Sequence, residues 1–239
     1  MLSFVLKRRD FRESDQMIAL FTAEKGKIEV LSKGVKKIIA KNSAYLEPFF
    51  LIEAEIVEGK ELWHLTKAVP VESFKNIRDN LEKSLLAGYV CEILNIILPE
   101  RSTEKKIFDL LFGFLNYLEN AKETSRGLAV SFLWKVLCLQ GYLPILKNCA
   151  ICNEEKDTKY FSPMHGGCVC DDCKQKIMEV NDAIVLSPKD KQNLKLLITG
   201  VWPQIKIGDK DLQKQEKLIS IFCAYHSEKK IPSPGFLIK

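Results

Sequence analysis

Four cysteines carry the clearest chemical signal in the sequence: Cys149-x2-Cys152, seventeen intervening residues, then Cys170-x2-Cys173. A Cys-x2-Cys step places two sulfurs on one tight knuckle, and two facing knuckles complete a tetrahedron around Zn2+. The spacer suits a short hairpin, with Gly166-Gly167 turning the chain before the second knuckle. Four thiolates leave no open coordination position, so the chemistry expected is one structural zinc ion and not a catalytic one. Such a metal contributes on the order of 10 kcal/mol to local folding. Cys168 forms Cys-x-Cys with Cys170, and His165 lies just upstream; either could exchange into the ligand set. The simpler alternative is that Cys168 packs on the hairpin and His165 is solvated. Four free thiols of a degenerate site are the competing reading of the whole motif. Cys91 and Cys138 fall in apolar, helix-like stretches, where a free thiol is a small buried hydrophobe. The cysteines do not form a disulfide framework, which points to a reducing compartment.

The second signal is charge. Between Lys25 and Lys41 stand six lysines against one acid, Glu29, and the run Lys33-Gly34-Val35-Lys36-Lys37, continued by Lys41, falls in a loop. Mobile cations with little intervening acid are what phosphate binding needs. A charge run more often only solvates a loop. Arg8 and Arg9, at the end of the first strand, extend the patch. The aromatics available for stacking on bases are Phe11, Tyr45, Phe49 and Trp63, several of which must serve the core instead.

Nothing else in the sequence does chemistry. There is no phosphate-binding loop, dinucleotide fingerprint, zinc-protease helix or nucleophile elbow. The three histidines, His64, His165 and His226, have no partners at metal or triad spacing, and the acidic pairs fall in hydrophilic loops. The reading is a protein that is not an enzyme.

These residues need positioning elements, and 239 residues with 46% hydrophobic and 28% charged content can build a sizeable core. That balance excludes a disordered chain and a collagen-like fibre. No run approaches the roughly 20 apolar residues of a membrane span. At the N-terminus the apolar residues precede Lys7-Arg8-Arg9, the reverse of a secretory signal, so a soluble cytoplasmic protein is expected. Net charge is +5, from 36 basic and 31 acidic residues, with basic ends flanking a slightly acidic middle.

Five short strands are expected at 4–8, 16–22, 27–33, 48–57 and 61–68, with Gly26 at a turn requiring positive φ. Five strands suffice for an oligonucleotide-binding (OB) barrel; an SH3-like barrel fits the count nearly as well. After Pro70 the apolar period lengthens. Helices are expected from Leu81 to Pro99, from Ser102 through Leu118, over 127–140, after the Ser187-Pro188 start, and over 212–228. The fold class expected is α+β: an N-terminal five-stranded OB-type barrel, residues 1–78, followed by a helical domain, 79–239, carrying the four-cysteine zinc ribbon at about 147–175.

Several stretches in order together resemble one family, the bacterial RecO proteins of DNA repair and recombination. They are the opening 5–15, ending Glu13-Ser14-Asp15; Leu20-Phe-Thr-Ala-Glu-Lys-Gly-Lys27; Lys33-Gly-Val-Lys-Lys37; Leu46-Glu-Pro-Phe49; and Gly141-Tyr-Leu-Pro144 leading into the cysteines. The resemblance implies a mediator that binds single- and double-stranded DNA, anneals strands, and works with RecR, with RecF as a further candidate partner. It further implies contact with the acidic tail of the single-stranded DNA-binding protein SSB, and replacement of SSB by RecA. The basic loop here is lysine-only where relatives often include arginine, which keeps the point charges but gives up bidentate geometry. The alternative is a zinc-ribbon adaptor that binds protein and whose barrel is structural only.

Overall fold

The computed structural model describes residues 1–35, 43–176, 184–227 and 232. It divides into two compact units, Met1–Thr124 and Ser125–Lys239.

The first unit opens with five strands: β1 (Leu2–Asp10), β2 (Gln16–Thr22), β3 (Gly26–Ser32), β4 (Leu51–Glu58) and β5 (Trp63–Glu72). They close in the order β1-β2-β3-β5-β4, with β4 returning to β1. All pairs are antiparallel except β3 with β5, which meet over only Val30–Trp63 and Leu31–His64. A closed five-stranded barrel in this order is of the OB type. Val5, Ile18, Leu20, Ile28, Val30, Ile52, Ala54 and Leu65 fill it.

Phe4-Val5-Leu6 is buried throughout instead of alternating. Two features account for this. A bulge between Val5 and Lys7 breaks the register of β1 against β2. The outer face of β1 and β2 is also covered, since Phe108 stacks on Phe4 and Phe21 with ring centroids 4.9 and 5.6 Å away. Strand β5 runs through Pro70, four residues beyond its expected end. Pro70 is tolerated because, among the described residues, β5 has a strand neighbour there on one side only.

Phe108 belongs to the third of three helices, α1 (Lys75–Arg78), α2 (Leu81–Ile97) and α3 (Lys105–Asn120). The single turn α1 has no sequence signature of its own. It is held by its surroundings: the Glu119 carboxylate accepts from the Asn76 and Ile77 amides at 2.9 and 3.0 Å. Asn80 caps α2 by accepting from the Lys83 amide.

The second unit contains α4 (Arg126–Leu139), β6 (Thr158–Ser162), β7 (Gly167–Cys170), α5 (Asp171–Lys176), β8 (Ile184–Val185), α6 (Pro188–Thr199) and α7 (Asp209–Ser227). Helix α4 is buried almost all round between α6 and α7, as its broadly apolar sequence requires. Ser131 Oγ donates to Leu197 O at 2.6 Å, and Lys135 Nζ caps the end of α6 through Ile198 O and Gly200 O. Helix α6 begins where expected, with Ser187 and Asp190 in a reciprocal capping box. No described helix is long and apolar enough to cross a membrane.

Candidate metal centre and nucleic-acid interface

Strands β7, β6 and β8 form a small sheet in that order, and β6 with β7 makes the hairpin between the two cysteine pairs. The turn is made at Gly166, φ +68°, whereas Gly167 already lies in β7. Gly167 serves a different purpose: a Cβ there would stand 2.5 Å from the Ile145 carbonyl oxygen. That close approach lets Ile145 O accept from the Cys168 amide at 2.7 Å, joining the segment before Cys149 to β7. In the first knuckle Asn153, at φ +59°, returns its amide to Cys149 O at 2.9 Å.

The result is that the sulfurs of Cys149, Cys152, Cys170 and Cys173 lie within 4.8 Å of one another. Burial by itself would push the Cys149 thiol up, but amide groups of Cys152, Cys170 and Ile151 donate toward the sulfur and hold it at about 6. Cys173 is pushed up to about 12 by burial and by its three sulfur neighbours. One sulfur is prepared as an anion while its neighbours suppress further ionisation, a conflict that a shared cation relieves. The donor set therefore fits a tetrahedral thiophilic metal.

Cys168 and His165 are not in this group. Cys168 is buried in β7 opposite Phe161 beside Thr158, and burial raises its thiol. His165 Nδ1 lies 3.0 Å from Ser162 Oγ. Cys91, fully buried in α2, is pushed up to about 12 by burial, as suits a small core hydrophobe.

On the barrel, Lys7, Arg8 and Arg9 stand at the far end of β1 and border a depression of about 180 Å³ with Met17 and Glu29. Each carries a carboxylate partner: Arg8 with Glu47 at 2.5 Å, Arg9 with Glu29 at 3.1 Å, Lys7 with Glu92 at 3.4 Å. Lys33 is exposed, with no ion-pair partner among the described residues. Lys36, Lys37 and Lys41 lie outside the described residues. Just after β3, Gly34 (φ +66°) donates its amide to Asp15 Oδ1 at 2.8 Å and Val35 is buried. Of the candidate aromatics, Phe11 is exposed and Phe49 is buried. Tyr45 and Trp63 lean partly on the barrel core.

Comparison with known proteins bears on the whole chain. The family model described as Recombination protein O N terminal matches residues 3–74, and Recombination protein O C terminal matches 78–234. The chain belongs to the RecO family. The DNA repair protein RecO of Caldanaerobacter subterraneus subsp. tengcongensis is 28% identical over 240 residues, 99% of this chain and 96% of that protein. That of Pelotomaculum thermopropionicum is 29% identical over 241 residues, 98% and 91% of the two chains. That of Dehalococcoides mccartyi strain 195 is 34% identical over 175 residues, 72% and 68% of the two. RecO membership makes this a DNA repair protein.

Three features of this RecO chain were not visible in its sequence. Lys7, Arg8 and Arg9 are consecutive in the sequence, but that all three border one depression, together with Met17 of β2 and Glu29 of β3, is decided by the fold. Arg78, on the one-turn helix α1, is half-buried over the Phe49 and Phe50 rings at 4.2 and 3.9 Å and donates to Pro48 O and Ser73 O. It fixes the chain where the basic loop returns to β4, and burial lowers its pKa. Lys25, Trp63 and Arg101 form the third feature, since they meet from three separate segments.

Proposed function

We propose that this chain is a non-catalytic recombination mediator that binds single- and double-stranded DNA, chiefly through charge. The observation carrying this reading is a closed OB-type barrel, in a RecO-family chain, with three cations gathered on one exposed strand end. Residues 1–78 are the DNA-binding domain, with Arg8, Arg9, Lys33, Lys36, Lys37 and Lys41 as its phosphate contacts. Annealing follows from the same charge. Two strands held on a basic surface lose much of their mutual repulsion, and no covalent step is required.

The remaining residues, 79–239, are the partner-binding part in this reading. With RecR, and with RecF as a further candidate partner, the protein promotes RecA loading on SSB-coated single strands and contacts the SSB acidic tail. Cys149, Cys152, Cys170 and Cys173 hold one Zn2+, which supplies a cross-link between the two knuckles and no reaction chemistry.

One observation favours the adaptor alternative, in which the barrel is structural only: Arg8 and Arg9 already have carboxylate partners. Both pairs are substantially exposed, and pairs of that kind are weak enough for phosphate to displace. Titration of a fluorescent single-stranded oligonucleotide at two salt concentrations separates the readings. Binding that weakens with salt and is lost in a Lys33/Lys36/Lys37→Glu variant supports the mediator. Absence of binding by the folded, zinc-loaded wild type supports the adaptor.

A further inference from the structure

We infer that Trp63 is a base-stacking platform, and that the path of a single strand runs from the Arg8–Arg9 end of β1 across β2 and β3 to this indole. The inference rests on the DNA-binding reading above and names the part of that site that takes bases in place of phosphates.

Trp63 is the first residue of β5 and is only partly buried. One part of the indole packs against the barrel core, which sets the ring's position. The loop before it is tight, because a Cβ at Gly59 would stand 2.3 Å from the Leu62 carbonyl oxygen. Two cations from different segments lie over this one ring: Lys25 Nζ at 4.6 Å from the centroid and Arg101 Cζ at 5.0 Å.

Arg101 is not there by chance of a mobile side chain. Its backbone is in the left-handed region, φ +57°, and its amide donates to Lys27 O at 2.8 Å. Thr103 Oγ1 donates to Glu24 O at 2.9 Å, so the 100–103 loop is tied to the β2–β3 hairpin at Arg101 itself and again two residues on. A non-glycine residue in this conformation persists only where its surroundings impose it, and such positions cluster at ligand sites. The part of the indole left open to solvent gains little from cations alone. A nucleotide uses both groups, its base on the π-face and its phosphate on the cation. Lys25, which also pairs with Glu58, is the flexible member and moves from ring to phosphate when a base arrives.

Continuity with the basic end of β1 is the independent observation. The depression beside Lys7, Arg8 and Arg9 and a second one, about 160 Å³, beside Trp63 and Arg101 share two lining residues, Met17 and Glu29; Glu61 and Glu100 also line the second, so there the floor suits a base and only the Arg101 side suits a phosphate. Much of the outer barrel face toward α2 and α3 is taken by the Phe4–Phe108 and Phe21–Phe108 contacts and by Lys27, whose Nζ donates to Asn95 O. The groove skirts that covered area.

The test compares binding of a 20-nucleotide oligo-dT with an abasic strand of the same length and charge. Wild type is expected to prefer oligo-dT by about tenfold, the worth of one stacked base. Trp63→Ala removes the preference and leaves the affinity for the abasic strand unchanged, while Trp63→Phe keeps most of it. Equal, salt-sensitive binding of both strands by wild type overturns the stacking platform and leaves the DNA-binding reading standing. Binding of neither strand overturns both. A preference that survives in both variants overturns the assignment to Trp63. If Trp63→Ala fails to fold, which circular dichroism reports, Trp63→Leu takes its place: loss of the preference supports the assignment and its survival overturns it.

Discussion

Gly26 and Ser102 are in a contact that leaves no room for a side chain: a Cβ at 26 would lie 1.9 Å from the Ser102 carbonyl oxygen. Gly26 also holds φ +68°, so two independent constraints exclude every other residue. Gly26→Ala is expected to destabilise the first unit by about 3 kcal/mol, measured by urea unfolding, through strain and displacement of the 100–103 loop. Gly88 is the control. It lies inside α2 with open space at its Cβ position, and Gly88→Ala should stabilise by about 1 kcal/mol.

The cysteine cluster should bind one Zn2+ per chain, counted by elemental analysis, and Co2+ should replace it with the absorption of a tetrahedral thiolate site. Cys170→Ser is expected to lose the ion and Cys168→Ser to keep it, because only the first of these sulfurs belongs to the four. Chelation should lower the melting temperature of the transition from the second unit while the barrel transition stays in place. Equal metal content in the two variants would mean that Cys168 can take over as a ligand.

Arg8 and Arg9 give a quantitative salt signature. Each phosphate contact removed should reduce the slope of log K against log salt by about 1. Arg8→Ala and Arg9→Ala are each expected to do so, with little change in base preference. Removing the competing carboxylates should act in the opposite direction, so Glu29→Gln and Glu47→Gln tighten binding a few-fold. Fluorescence anisotropy across a salt series checks both. Unchanged slopes in both arginine variants would remove these residues from the interface.

The helical unit holds two buried acids whose pKa values are displaced in opposite directions. Burial alone would raise Asp190. Lys214 at 2.5 Å, the Ser187 hydroxyl and the Ser187 amide overcome that and hold it below the ordinary aspartate value. Its stabilisation is therefore present above the unfolded-state pKa and lost as pH falls through the lower folded-state value. Asp190→Asn should cost about 2 kcal/mol near neutral pH and flatten the acid limb of the melting curve. For Glu216, burial raises the carboxyl and Arg126, 3.5 Å away, only partly opposes it. Burial penalises the Glu216 charge where the partners of Asp190 reward its own, so Glu216→Gln should cost less than Asp190→Asn at neutral pH. The reverse order would contradict both assignments.

Local chemistry was legible in the sequence wherever neighbours along the chain decide the outcome. Strand β2 falls at 16–22 as its alternation predicts, Gly26 and Gly166 turn where a positive φ is needed, and Ser187-Pro188 starts α6. The two Cys-x2-Cys knuckles declare their geometry because each spans four residues, and a hairpin is enough to bring them together. Those same local patterns left the OB and SH3-like barrels unresolved, since strand count carries no strand order.

Only the tertiary structure could decide which distant residues meet. The β1-β2-β3-β5-β4 order, the burial of Phe4-Val5-Leu6 on both faces, and the one-turn helix α1 all depend on contacts across the unit. The charge pattern identified Arg8 and Arg9 as available cations, but their carboxylate partners come from β3 and from the chain leading to β4. By sequence Trp63 is one aromatic among four; the fold sets it apart by bringing Lys25 and Arg101, each far from it along the chain, over its ring. Period and spacing encode what a segment does by itself. Charge pairing and ring stacking act through a few ångströms of space, and a closed barrel makes neighbours of residues that the chain keeps far apart.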